Sequence, residues 1–327
     1  MNNNSSHGLS IAFLCFIFLA CHLGSCQLDY RFYDRTCPNL TRIVRFGVWS
    51  AILNETRMAA SLLRLHFHDC IANGCDGSVL LDDTSTMKGE KNAPPNLNSA
   101  RGFQVIDTIK TNVENACPAT VSCADILTLV AREAVFLTGG PYWSLPLGRR
   151  DSLTSNSSDN QHIPSPFEPL ENITAKFTSK GLDMNDMVVL SGGHTIGFAQ
   201  CFTFKQRLFD FDGTGKPDPT IDASLLANLQ STCPNQDNSN TNLAPLDHVT
   251  PSKFDNMYFK NLVNNSGVLG SDQALMEDNT TASIVIGYST LPLLFFSEFG
   301  ASMAKLASVG VITGQEGEIR KDCKVVN

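Results

Sequence analysis

The chain has 327 residues, 11 cysteines and a formal net charge of −8. That length allows one large core or two lobes sharing a site, and it excludes a small scaffold held together only by disulfides. The acidic balance argues against a nucleic-acid partner, which would want a basic face.

Residues 1–26 contain no Lys, Arg, Asp or Glu, and the apolar run "LSIAFLCFIFLAC" is followed by the small-residue stretch "LGSC" before Gln27. This pattern reads as a secretory signal peptide cleaved after Cys26. The run is too short to span a bilayer comfortably and nothing later is longer and apolar, so no membrane span is expected. Residues 27–327 then form a single domain. Cys15, Cys21 and Cys26 leave with the signal, and Cys37, Cys70, Cys75, Cys117, Cys123, Cys201, Cys233 and Cys323 remain. An even number in an exported chain suggests four disulfides, although eight cysteines allow on the order of 100 pairings. Six Asn-x-Ser/Thr sequons, at Asn39, Asn54, Asn156, Asn172, Asn264 and Asn279, favour N-glycans.

In "LTRIVRFGVWSAILNETRMAASLLRLHFHDC" the apolar positions Ile43, Val44, Val48 and Ile52, then Ala59, Leu62, Leu63 and Phe67, recur at helical spacing. Two helices meeting near Asn54 are expected. A second pair follows in "ARGFQVIDTIKTNVENACP" and "SCADILTLVAREAVFLTGG", with Pro118 stopping one and Gly139 at a C-cap position of the other. "PLENITAKFTSKGLDMNDMVVLSGGHTIG" continues the pattern, with Gly181 as a stop and Asp183 as an N-cap. Strand signals are sparse and short, and "STCPNQDNSNTNLAP" reads as a surface loop. The fold class is all-α.

If Ala59 to Cys70 is helical, Arg64 and His68 lie one turn apart on one face and His66 points elsewhere. A strand would instead put His66 and His68 on one side and make a plausible zinc pair; the apolar spacing favours the helix and demotes zinc. A neutral imidazole can take and return a proton, while a nearby guanidinium favours that neutral form and offers fixed positive charge to a developing anion. That combination suits heterolysis of an O–O bond; a solvated helix face is the plainer alternative. In "DCIANGCDGS", Asp69, Asp76 and Ser78 supply oxygens of the kind a hard cation takes, although the spacing is not an EF-hand and a simple acidic turn stays open. His194 follows a helical run beside two glycines that would let a flat ligand approach the backbone.

"RLHFHDC", "NGCDGS", "ARGFQVID", "CADILTL", "GGPYWSLPLGRRDS", "LSGGHTIG", "FDNMYF" and "GSDQAL" resemble, in this order, the secreted plant haem peroxidases of class III. The resemblance runs from "FYDRTCP" to "CKVVN". It implies a helical fold of two lobes with few short strands and one haem b between them, and a monomeric enzyme that uses H2O2 to oxidise small phenolic donors. It implies His194 as axial iron ligand, with Asp272 accepting the other ring N–H of that histidine. His68 becomes the acid/base, Arg64 the charge stabiliser, Asn96 the partner that orients His68, and Phe67 the aromatic covering the haem face. Pro164 in "IPSP" matches the position at the exposed haem edge.

The same resemblance implies two Ca²⁺ ions. One would be held by side chains of Asp69, Asp76 and Ser78 with carbonyls of Asp69, Ala72 and Gly74, and the other by Thr195, Asp247, Thr250, Lys253 and Asp255. It pairs Cys37 with Cys117, Cys70 with Cys75, Cys123 with Cys323, and Cys201 with Cys233. Ile71 and Ala72 depart from the Phe-Val more usual in the family. A haem-binding wall protein on the same fold that no longer turns over is the alternative function, and the complete set Arg64, His68 and Asn96 argues against it. The short tail "KVVN" after Cys323 favours export to the cell wall over the vacuole.

Overall fold

Helix α1 (Leu40–Asn54) buries Leu40, Val44 and Val48 along one stripe, and α2 (Met58–Ala72) follows after a break at Glu55, whose extended backbone (φ −151°, ψ 109°) ends the first helix. In this computed structural model, which describes residues 28–327, α2 covers the whole "RLHFHDC" stretch. The signal peptide expected at 1–26 lies outside the described residues. Helix α3 (Phe103–Ala116) starts from Gly102 at φ 98°. Helix α4 (Cys123–Leu137) is buried at every position from Cys123 to Val135, which marks a helix enclosed by protein on all sides. Its N-terminus is held by the Asp151 carboxylate, which accepts from the Cys123 and Ala124 amides at 3.0 and 2.9 Å, and negative charge is stabilising there.

Helix α5 (Leu170–Ser179) ends before Gly181 (φ 77°), and α6 (Met184–Ser191) opens on a reciprocal capping box between Asp183 and Asp186. Both boundaries fall where the sequence put them, because each depends on a local backbone need. A 3₁₀ turn, Gly192–Thr195, carries His194 directly off the end of α6. Beyond it come α7 (Lys205–Phe209), α8 (Ala223–Thr232), α9 (Met257–Val263), α10 (Gly270–Gln273), α11 (Asn279–Thr290) and α12 (Pro292–Leu306). Strands β1 (Phe198–Gln200) and β2 (Leu243–Pro245) pair antiparallel, with Ala199 opposite Ala244. β2 lies inside the stretch expected to be loop throughout; three residues are too few to show a period of two.

A large apolar core joins α1 to α6 with α9, α11 and α12, and a smaller one gathers Phe204, Leu208, Leu225 and Leu229 around the Cys201–Cys233 disulfide. The other three disulfides are Cys37–Cys117, Cys70–Cys75 and Cys123–Cys323, as the resemblance implied. No single helix among the described residues is long and apolar enough to cross a membrane; α11 and α12 pass that test only together, bent by 119°, and α12 packs Phe295, Phe299 and Met303 into the core.

The turn bearing His194 sits on a layer of rings formed by Phe254, Phe259, Phe295 and Phe299. Gly192 permits that approach: a Cβ there would lie 2.7 Å from both Phe259 Cζ and Phe295 Cε2. Gly192→Ala should therefore cost about 1–3 kcal/mol through overpacking, read as a lower urea midpoint at unchanged slope; an unchanged midpoint would mean that the rings do not set the height of this turn.

Candidate active site

On α2, Arg64 and His68 project from one face, and Arg64 Nε approaches His68 Nε2 at 3.0 Å. The other ring nitrogen, Nδ1, meets Asn96 Oδ1 at 2.5 Å. Asn96 Nδ2 donates to Glu90 O and to Asn160 Oδ1, each at 2.9 Å, so the amide is oriented with its oxygen toward the ring. That oxygen can only accept, which assigns the proton of His68 to Nδ1 and leaves Nε2 as a lone pair. The Arg64 N–H aimed at Nε2 agrees with this tautomer. Burial, then the Arg64 charge, holds the His68 pKa well below the usual histidine value against the opposing pull of Asn96.

Arg64 is anchored by Pro95 O at 2.9 Å and Ser99 Oγ at 3.0 Å. It presents accessible surface yet is enclosed by protein, and burial brings its pKa down to about 10. The Phe67 ring lies 6.2 Å from His68 and 5.9 Å from Phe177. His66 faces away, against Cys70 Sγ at 3.5 Å. It converges with Cys70 and Cys75, but their sulfurs are joined in a disulfide and offer no thiolate. The zinc pair of His66 and His68 therefore has no geometric basis.

Facing this set, His194 Nδ1 lies 2.9 Å from Asp272 Oδ1. The carboxylate can only accept, so Nδ1–H donates and Nε2 is presented to the intervening space. Tyr258 donates its hydroxyl to the same Asp272 oxygen at 2.9 Å. The His194 side chain keeps 43 % of its surface accessible although protein surrounds it. Burial works against protonation of His194, but the charge and hydrogen bond of Asp272 outweigh it and raise the pKa, while Arg64 across the cleft is close enough to oppose them. Leu63 Cδ2 approaches Gly193 from α2, which brings the His194 turn against the helix that carries Arg64 and His68. Two imidazoles thus lie within range of Arg64, each with Nδ1 engaged, and the unprotonated His194 Nε2 is suited to ligate a metal.

At the C-terminal end of α2 lies a buried carboxylate pocket. Asp69 accepts from the Gly77 and Val79 amides at 3.0 and 3.4 Å, and Asp76 from the Ser78 amide at 3.0 Å. Burial, then Asp76 and Glu90, drives the Asp69 pKa well above the ordinary carboxylate value, and burial raises that of Asp76. Ser78 Oγ is near enough to Asp76 and Glu90 to help hold their pKa values down, yet it completes no aligned hydrogen bond, and Glu90 Oε2 is likewise buried without a partner. Mutually repelling carboxylates around an unsatisfied hydroxyl fit a hard cation. Gly74 packs against Gly310, where a Cβ would lie 2.3 Å from the Gly310 carbonyl oxygen, and Ala72 ends α2 with its carbonyl toward Lys180.

A second acidic set adjoins His194. Thr195 Oγ1 reaches Asp247 Oδ2 at 3.2 Å and Asp255 Oδ1 at 3.5 Å, and Thr250 Oγ1 contacts the same two oxygens at 3.0 and 3.1 Å. The Lys253 side chain turns out to Asp255 Oδ2 at 3.4 Å, and since an ammonium has no lone pair to give a cation, a ligand from Lys253 would have to be its carbonyl. Pro164, partly exposed, lies in the loop between Asn160 and α5. Lys176 Nζ fixes that loop by donating to Ile163 O at 2.9 Å.

A family model described as "Peroxidase" matches residues 44–290. The chain is similar to "Peroxidase 10" of Arabidopsis thaliana, 60% identical over 300 residues covering 91% of this chain and 86% of the relative. It is also similar to "Peroxidase N" of Armoracia rusticana, 51% identical over 323 residues covering 98% and 96%. This chain belongs to the peroxidase family. A third relative, "Lignin-forming anionic peroxidase" of Nicotiana sylvestris, is 49% identical over 317 residues covering 97% of this chain and 96% of the relative. The mostly helical architecture agrees with that membership, and the family implies haem.

Three residues of the peroxidase site escaped the sequence reading. Glu90 links the carboxylate pocket to His68 through its carbonyl and Asn96, Asn160 completes the orientation of Asn96, and Tyr258 supports Asp272. Tyr258 stood within the quoted "FDNMYF", but nothing in the order of residues showed its partner. Burial, with the charges of Asp76 and Asp159, raises the Glu90 pKa from 4.5 to about 7. An acid whose pKa is raised on folding binds more protons native than unfolded, so its penalty is absent at low pH, grows above the unfolded value and is complete above the folded one. In excess chelator the peroxidase should therefore lose stability as pH rises from about 4.5 to about 7, and any divalent cation that binds among these carboxylates should flatten that slope in thermal melts. A melting temperature independent of pH in the chelated protein would contradict the repulsion assigned to this pocket.

Proposed function

We propose that this peroxidase is an exported haem b enzyme with two calcium ions that reduces hydrogen peroxide to water and oxidises phenolic donors by one-electron steps. The observation that carries the reading is the pair of imidazoles, each with its Nδ1 proton given to an acceptor and both within range of the Arg64 guanidinium. Bound through His194 Nε2, haem would supply the iron at which peroxide is reduced and to which donors give electrons. His68 Nε2, unprotonated and accepting from Arg64 Nε, exchanges that hydrogen bond for a proton from one peroxide oxygen and returns the proton to the other, so that the departing oxygen leaves as water. Arg64 steadies the negative charge that develops on that oxygen. Asn96 keeps His68 in the required tautomer, Phe67 covers the face of the site, and Asp272 makes the His194 ring a stronger donor.

One calcium ion would take Asp69, Asp76 and Ser78 side chains with the carbonyls of Asp69, Ala72 and Gly74. The other would take Thr195, Asp247, Thr250, Lys253 through its carbonyl, and Asp255. Residues 27–327 act as one monomeric domain, and Pro164 borders the opening where donors meet the haem edge. A phenolic donor is supported by the lignin-forming relative, which like this chain is acidic by name or by net charge. Export to the cell wall is supported by the signal-peptide pattern in the sequence of residues 1–26, by four disulfides and by six sequon asparagines that are all exposed.

Replacing His68 with Leu removes the proton carrier while keeping an apolar side chain of similar reach. Stopped-flow mixing of the holoenzyme with H2O2 should then show a rate lowered by about 10²–10⁴-fold, the usual worth of a positioned acid/base. A near-normal rate in His68→Leu would assign the proton transfer elsewhere.

A further inference from the structure

The carbonyl of Ala72, one of the oxygens assigned to the first calcium, is engaged by a protein cation. Lys180 Nζ donates to it at 3.0 Å. Ala72 is the last residue of α2, so its oxygen is one of the carbonyls a helix leaves unpaired at its C-terminus, where positive charge is favoured. Lys180 itself caps α5, and its backbone is fixed by the turn that follows: Leu182 N donates to Phe177 O at 3.1 Å across Gly181. The backbone is therefore anchored while the side chain, only partly buried, reaches inward. Burial lowers the pKa of its ammonium, against the attraction of Asp159 and Glu90.

The other cation near the pocket is differently placed. Arg320 is wholly buried and donates to Gly77 O at 2.7 Å and Cys323 O at 2.6 Å, with Asp151 at 3.8 Å. It cannot leave without breaking these bonds, whereas Lys180 can withdraw toward solvent. A divalent ion bonded to Ala72 O and an ammonium on the same oxygen would repel each other at close range.

We propose that Lys180 is a tethered counter-cation of the α2 carboxylate pocket: it holds the Ala72 carbonyl when the metal is absent and must swing away for the metal to enter. The inference rests on the calcium reading given above. Lys180 then weakens calcium binding at this site and protects the cation-free pocket from the repulsion among Asp69, Asp76 and Glu90.

The test uses calcium-loaded holoenzyme of the natural chain and of Lys180→Met and Lys180→Arg, transferred into excess chelator, with calcium release followed in time. Melting temperature is recorded with and without calcium. Ser78→Ala, confined to this pocket, identifies its release phase. Lys180→Met should slow that phase by about tenfold, the scale of removing one close like charge, and should widen the gap between calcium-loaded and calcium-free melting temperatures. Lys180→Arg should behave as the natural chain. Unchanged release in Lys180→Met, with both melting temperatures lowered equally, would reduce Lys180 to a structural helix cap and overturn the inference. A natural chain that carries no calcium at all would overturn the calcium reading itself, and with it the ground for Lys180.

Discussion

The hydrogen bond between His68 and Asn96 fixes the tautomer of the His68 ring, on which the proposed chemistry depends. An amide oxygen has no proton to give, so His68 must place its own on Nδ1 and keep Nε2 unprotonated, where it accepts from Arg64 Nε. Asn96 keeps its orientation because Glu90 O and Asn160 Oδ1 take both of its N–H donors. On the other side a carboxylate does for His194 what the amide does for His68. The two acceptors differ in charge, and the two rings differ accordingly: His68 is held neutral, while His194 is drawn toward positive charge by Asp272.

This arrangement depends on parts of the chain that never touch the cleft. The Glu90 carbonyl that orients Asn96 belongs to the residue whose carboxylate borders the Asp69 and Asp76 pocket. A cation there would neutralise the repulsion around Glu90 and steady the base of the His68 chain of bonds. Thr195 similarly joins the residue after His194 to Asp247 and Asp255. Both sides of the cleft are thus coupled to buried acidic sets, and Gly192 lets the His194 turn settle on the ring layer.

Local pattern made much of this legible. The four-residue spacing of Arg64 and His68 on a helix, the Asp183 cap and the stop at Gly181 all follow from interactions within a few residues. The resemblance supplied the disulfide pairing and the partners of His68 and His194. What could not be read were contacts made between distant residues of unremarkable type: Asn96 to Asn160 at a separation of 64, and Lys180 to Ala72 at 108. Neither has a period or a motif. The short strand β2 escaped for the opposite reason, since its three residues carry too little pattern to stand apart from the polar segment around them.

The tautomer of His68 is the most direct test of this account. Long-range ¹H–¹⁵N NMR on the haem-free chain, refolded with calcium and labelled at histidine, reports the protonation of each ring nitrogen. The account predicts a proton on Nδ1 and a pyridine-like Nε2 at neutral pH, with no imidazolium forming until well below the usual histidine range. A proton on Nε2, or a doubly protonated ring at neutral pH, would contradict it.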